Sequence, residues 1–147
     1  MRDEVASAHN GQIPKSAYGI AAVLTAWEVA VAGGQNASPL RTLLASTLRA
    51  QLQYPLDIRN GVCHGLVGIS AAYDNQPATL TWELNCEKRS ITWQELKVIF
   101  AWLSKLQRAI IMISRSSHEK PGSRLIDNPE NRNWWRSEFG LELPETG

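Results

Sequence analysis

Apolar positions recur at helical spacing in four stretches of this chain and alternate in a fifth. Residues 17–32 are apolar nearly all round, which predicts a helix buried on most sides and stopped by Gly33-Gly34. Glu28 is the one charge in that stretch and is expected at a solvated rim, with an arginine partner as the alternative. Ser38-Pro39 supplies an N-cap and a proline at the first helical position. Leu40, Leu43, Leu44, Leu48 and Leu52 follow as one stripe, from which Arg41 and Arg49 fall away. This helix is expected to stop at Tyr54-Pro55, because the residue before a proline avoids the helical region. A third helix is then expected, with Asp57 near its start, Ile58, Val62, Leu66, Ile69 and Tyr73 as its apolar set, and Asp74-Asn75-Gln76-Pro77 as its stop.

The period then changes. Leu80, Trp82 and Leu84 alternate with Thr79, Thr81 and Glu83, which predicts a strand. Residues 85–88 read as the turn and 89–92 as a short return strand. Thr92-Trp93-Gln94-Glu95 matches the capping box, and Ile91 with Leu96 the hydrophobic staple, of a long helix running to about residue 114. Its apolar face is Leu96, Ile99, Phe100, Leu103, Leu106, Ile110 and Ile113. Residues 116–133 are polar and contain Pro121, Gly122 and Pro129, so a loop or extended tail is expected there. Trp134-Trp135 and Phe139 are too apolar for a free tail and are expected to dock on the body or on a partner. The expected architecture is mainly α: a four- to five-helix up-down bundle with a small β-hairpin at about residues 78–92, inserted before the last long helix. It forms a single domain over 1–147 with an extended C-terminal tail over 115–147.

A chain of 147 residues, 44% hydrophobic and 20% charged, suits one globular domain with a hydrophobic core. The net charge of +1 gives no global attraction to nucleic acid, so any RNA site must be a local patch. Cys63 and Cys86 are too few for a disulfide framework and are read as reduced thiols of a cytoplasmic protein. The start, Met1-Arg2-Asp3-Glu4, lacks the pattern of a signal peptide, and the longest apolar run is about one turn short of a bilayer span. No membrane association is expected.

The chemistry concentrates in Arg59-Asn60-Gly61-Val62-Cys63-His64-Gly65. Arginine offers a rigid positive fork that fits a phosphate, and histidine can give or take a proton near neutral pH. Composition alone yields about 0.2 Arg-x4-His pairs in such a chain, and about 0.01 once Asn must follow the Arg. On a helix Asn60 and His64 share a face, whereas Arg59 and His64 lie about 140° apart around the axis. Two copies facing each other across a two-fold axis would bring an Arg and a His together more easily than one helix alone.

These residues resemble the HEPN superfamily, helical domains marked by Arg-x4–6-His, often with a polar residue after the Arg. The resemblance covers about residues 17–114. It implies a metal-independent endoribonuclease, working as a homodimer whose motifs meet at a cleft and acting as a toxin or antiphage defence effector. His64 would assist proton transfer as the RNA 2′-hydroxyl attacks the adjacent phosphate, Arg59 would stabilise phosphoryl charge, and Asn60 would orient His64 or the phosphate. The implied product end is a 2′,3′-cyclic phosphate, with no cofactor and no metal; the histidines His9, His64 and His118 are scattered. Some toxin members carry a Tyr two residues after the His as the target of adenylylation; here that residue is Leu66. Others only bind nucleotides or partners, so the alternative is an inactive module within a larger defence or toxin–antitoxin complex, docked on an antitoxin or another defence protein.

Structural readings stand beside the functional ones. His64 in a core, Arg59 paired with Asp57 or a glutamate, and Cys63 as a small buried hydrophobe are the bland alternatives. A position near a helix N-terminus would be mildly unfavourable for the Arg59 cation. Tyr73 is either a substrate-binding residue at the rim or a core residue. Arg132 and Arg136 flank Trp134-Trp135 as an aromatic-plus-basic pattern able to bind RNA, although docking is the favoured use of those rings. Trp27, Trp93 and Trp102 are expected in the core, and Trp82 in the hairpin against a helix.

Overall fold

The computed structural model describes residues 1–8, 12, 19–33, 38–116 and 124–144. The chain is mainly helical, with a small antiparallel sheet. Its elements are α1 (Arg2–Ala8), α2 (Ile20–Gly33), α3 (Pro39–His64), β1 (Leu66–Ser70), β2 (Thr79–Leu84), β3 (Glu87–Thr92), α4 (Trp93–Ser116) and α5 (Pro129–Phe139). His9, His118, Pro121 and Gly122 lie outside the described residues. The chain divides into two compact units, Met1–Ala50 with Lys105–Gly147, and Gln51–Ser104.

In the first unit Val5, Trp27, Val31, Leu44, Leu48 and Ile113 are buried almost completely. The Trp27 indole N–H donates to Ser114 Oγ at 3.0 Å, which satisfies its one polar atom. Arg41 does not fall away from the apolar stripe: it is only 1% exposed. Its Nε donates to the Val31 carbonyl at 3.0 Å and its Nη1 to the Ser116 carbonyl at 3.2 Å. Both acceptors belong to the last turns of helices, α2 and α4, whose carbonyls lack intrahelical donors and carry partial negative charge. A buried cation is tolerated there because two helix ends need it. Glu28 likewise takes the alternative expected for it, an ion pair with Arg49 at 2.6 Å.

The expected loop over 116–133 gives way to α5 at Pro129. Asn128 caps that helix by accepting from the Asn131 N–H at 2.8 Å, Pro129 fills the first turn, and Gly140 closes it in the left-handed conformation, φ 63°. Trp135 and Phe139 are buried, and Trp134 packs edge-on against both rings. Arg108 of α4 stacks over the Trp134 ring at 4.6 Å, and Lys105 pairs with Glu138. That lysine holds the Glu138 carboxyl below its usual range, first through the hydrogen bond.

The second unit holds the end of α3, the sheet and the start of α4. Its core is Ile58, Trp82 and Ile91, with Val62, Leu80, Leu96 and Ile99 packed against it. Two corrections fall here. The helix expected to end at Tyr54 continues through Pro55 to His64. An interior proline costs about 3 kcal/mol, but each Leu or Ile buried recovers about 1.5–3 kcal/mol, and Leu48 and Leu52 before the proline and Ile58 after it are all buried. Leu66, Val67 and Ile69 are not on a third helix; they form β1, which pairs antiparallel with β2 from Leu66↔Glu83 to Ser70↔Thr79. Gly65 interrupts the helix, and the run Val67-Gly68-Ile69 suits a pleated strand better than a helix. The hairpin expected at 78–92 is present as β2 and β3, in register from Thr79↔Thr92 to Leu84↔Glu87. The sheet order is β1-β2-β3.

The capping box at the start of α4 forms as the sequence predicts. The Thr92 N–H donates to Glu95 Oε2 at 2.8 Å and the Glu95 N–H to Thr92 Oγ1 at 3.2 Å. The backbone hydrogen bond, then the Thr92 hydroxyl, lowers the Glu95 carboxyl from its ordinary value of 4.5. Trp93, expected in the core, is half exposed at 52%, with Lys97 over its ring. No helix among the described residues is long and apolar enough to cross a membrane.

Candidate functional site

The motif stands in the last turns of α3, not in the first turns of a helix. That reverses the electrostatic reading. Cations are favoured near a helix C-terminus, so the position no longer disfavours Arg59.

Two glycines shape this end. A Cβ on Gly61 would fall 2.0 Å from the Trp82 indole Nε1, so the bare backbone is what admits the ring against the helix. Gly65 donates its N–H to the Gly61 carbonyl at 2.8 Å, the last helical bond. A Cβ there would meet the carbonyl oxygens of Gly61 at 2.5 Å and Glu83 at 2.6 Å, neither of which can swing aside. The tight exit leads straight into β1.

Between the glycines the functional side chains face solvent. Arg59, Cys63 and His64 are exposed, and Asn60 is half-buried. Arg59 Nη1 donates to Asn60 Oδ1 at 3.0 Å, which links the guanidinium to the amide and leaves Asn60 Nδ2 as a donor. The bland alternatives fail: Asp57 accepts from Gln53 at 2.8 Å rather than pairing with Arg59, and His64 is in no core. Among the described residues the His64 side chain has no hydrogen-bond partner. Cys63 is no buried hydrophobe.

Tyr73 is 82% exposed, so the core reading fails for it as well. It sits at the tip of the β1–β2 connection, where Tyr73 and Gln76 exchange backbone hydrogen bonds at 3.2 and 2.8 Å. Asp74 and Asn75 take φ 45° and 64°, the left-handed pair of a tight hairpin turn. Arg132 and Arg136 stand on α5, in the other unit. Arg132 is engaged there: it pairs with Asp127 and donates to the carbonyls of Leu143 at 3.2 Å and Pro144 at 2.8 Å, tying down the segment after α5. Arg136 lies 3.8 Å from Glu142, and both are exposed.

A polar cleft of about 290 Å³ opens beside Asn60. It is lined by Asp57 and Asn60 of α3 and by Trp82, Asn85, Glu87 and Arg89 of the β2–β3 hairpin. Sequence reasoning places Asp57 and Asn60 on one helix face, three residues apart. It does not show that the hairpin turn returns to that face. Among the described residues no group of three or more His, Cys, Asp or Glu is placed to hold a metal ion. Comparison with family models, curated proteins and solved structures finds no match.

Proposed function

We propose that this chain is a HEPN-type endoribonuclease that cuts RNA without a metal, as a homodimer, in a toxin or antiphage defence role. The observation that carries the reading is that Arg59 and His64 are exposed and do no structural work: neither forms an ion pair among the described residues, and Arg59 bonds only its neighbour Asn60. Polar side chains at a helix end without a packing duty are free for a ligand.

In the proposed reaction the ribose 2′-oxygen attacks the adjacent phosphorus as His64 assists the transfer of its proton. The bond to the 5′-oxygen breaks, and that oxygen leaves with a proton. A 2′,3′-cyclic phosphate and a 5′-hydroxyl result. Arg59 neutralises the charge that builds on the non-bridging oxygens, and Asn60 holds Arg59. The angle of about 140° between Arg59 and His64 on one helix supports a site shared between two copies. So does the surface next to it. All five residues of β1, which follows His64 after one glycine, are exposed, with Leu66 at 78% and Ile69 at 84%. Apolar surface of that kind fits an interface better than water.

The test incubates the purified chain with total RNA and tRNA in EDTA and maps the ends. Cleavage leaving cyclic phosphates, cut by at least about 100-fold in Arg59→Ala and His64→Ala, is the expected outcome. Intact RNA, or variants that cut as the parent does, would retire the enzyme and leave a module that binds a protein or nucleotide.

A further inference from the structure

Apart from Asn60, the cleft beside it is built from groups that the proposed chemistry does not use. We infer that it is a base-binding subsite, and that the base it takes is guanine, read through its Watson–Crick edge. The inference rests on the ribonuclease reading for the source of the base, since a guanine in single-stranded RNA would sit next to the bond that is cut.

At about 290 Å³ the cleft lies near the lower end of the volumes that bind small molecules, which suits one base. Trp82 is 5% exposed and reaches the cleft only by an edge, so a base there is held by hydrogen bonds to its own edge, as single-stranded bases are read. Phosphate alone is a poor fit, because two carboxylates, Asp57 and Glu87, line the cleft against one guanidinium, Arg89, which already pairs with Glu87 at 2.8 Å.

The pattern of donors and acceptors then selects the base. Asp57 accepts from Gln53 through Oδ1, and its Oδ2 has no partner among the described residues. A carboxylate only accepts, and because each oxygen has two lone pairs, Oδ1 can accept a second bond beside the one from Gln53 while Oδ2 takes a parallel N–H. Guanine alone among the four RNA bases presents two adjacent N–H donors on this edge, N1–H and N2–H, with an acceptor, O6, beside them. Adenine and cytosine each set a ring-nitrogen acceptor next to their amine, and uracil flanks its single N–H with two oxygens. Against Asp57 those acceptors are repelled. The donor for O6 is at hand: Asn60 Oδ1 is taken by Arg59, so Nδ2 remains free, and the exposed Asn85 offers a second amide. Asn60 thereby joins the base subsite to Arg59, which would place the scissile phosphate one step from the recognised base.

The experiment follows the Trp82 indole N–H by NMR, assigned by its loss in Trp82→Phe, as nucleoside 5′-monophosphates are added to the intact chain. Guanosine monophosphate is expected to shift that signal and to bind at least ten-fold more tightly than the adenosine, cytidine and uridine nucleotides. Inosine monophosphate, which lacks only the 2-amino group, is expected to lose at least ten-fold, and Asp57→Asn to weaken guanosine monophosphate by a similar factor. Because inosine tests the contact from the ligand side, the result stands even if Asp57→Asn fails to fold. Equal binding of the four bases, inosine binding as well as guanosine, or no shift at all overturns the inference. End mapping on RNA separates the two readings. Cuts beside G that fall at least ten-fold relative to other sites in Asp57→Asn identify an RNA base. Guanosine monophosphate binding without any RNA cleavage retires the ribonuclease and leaves a site for a free guanine nucleotide.

Discussion

Gly61 carries no side chain, and Trp82 occupies the space one would fill. In Gly61→Ala the indole must withdraw from the end of α3, with strain of about 1–3 kcal/mol as in other overpacked cores. The urea midpoint should fall accordingly, and the Trp82 indole signal should move; an unchanged midpoint would mean that the ring does not rest on Gly61. Cys86 shows the opposite economy. Asn85 and Cys86, with φ 53° and 64° respectively, form the two-residue turn of β2–β3. A left-handed conformation costs a residue with a Cβ about 1–2 kcal/mol, and glycine almost nothing. Cys86→Gly should therefore raise stability by about 1 kcal/mol, read as a higher urea midpoint with the same slope. Neither effect is visible in the sequence, where Gly61 reads only as part of a motif and Cys86 as a stray thiol.

The capping box of α4 was fully legible at the scale of an element, because every atom that makes it lies within four residues. It also carries a pH dependence. The folded Glu95 carboxyl titrates below its ordinary value of 4.5, so its contribution is complete above that pH and is lost as the pH falls through the lower, folded value. In Glu95→Gln the acid side of the stability profile should flatten while the neutral side drops, as measured by thermal melts from pH 7 down to pH 3. α5 obeys rules just as local: Asn128 caps it and Pro129 takes its first position, as Pro39 does in α3. Reading Pro129 as a breaker rather than a first-turn residue hides that helix. Pro55 is the reverse case, a proline that only tertiary burial carries through a helix.

At the scale of the whole molecule the net charge of +1 gives no long-range pull on RNA, so the proposed ribonuclease would draw its selectivity from the motif and the cleft beside it. If each site takes Arg59 from one copy and His64 from the other, neither single variant can cut alone. Mixed subunits of Arg59→Ala and His64→Ala rebuild one intact site in each heterodimer, which predicts recovery of about one quarter of the parental activity. No recovery after subunit exchange would place both residues of a site on one chain.

Local interactions, which the sequence carries in full, determined the capping box, the β2–β3 hairpin, the mainly helical character and the grouping of Arg59, Asn60 and His64. Tertiary structure decided whatever depended on which surface becomes buried. Burial of Leu52 and Ile58 carries α3 through Pro55 and moves the motif from the start of a helix to the end of one. Pairing with β2 turns Leu66–Ser70 from an apolar helix face into an exposed strand. The ends of α2 and α4 draw Arg41 inside. The hairpin folds back beside Asp57 and Asn60 to form a cleft from residues some 25 to 30 positions away in sequence. Periodicity reports which side of an element is apolar; it cannot report which neighbour will cover that side, and the cleft exists only because of that neighbour.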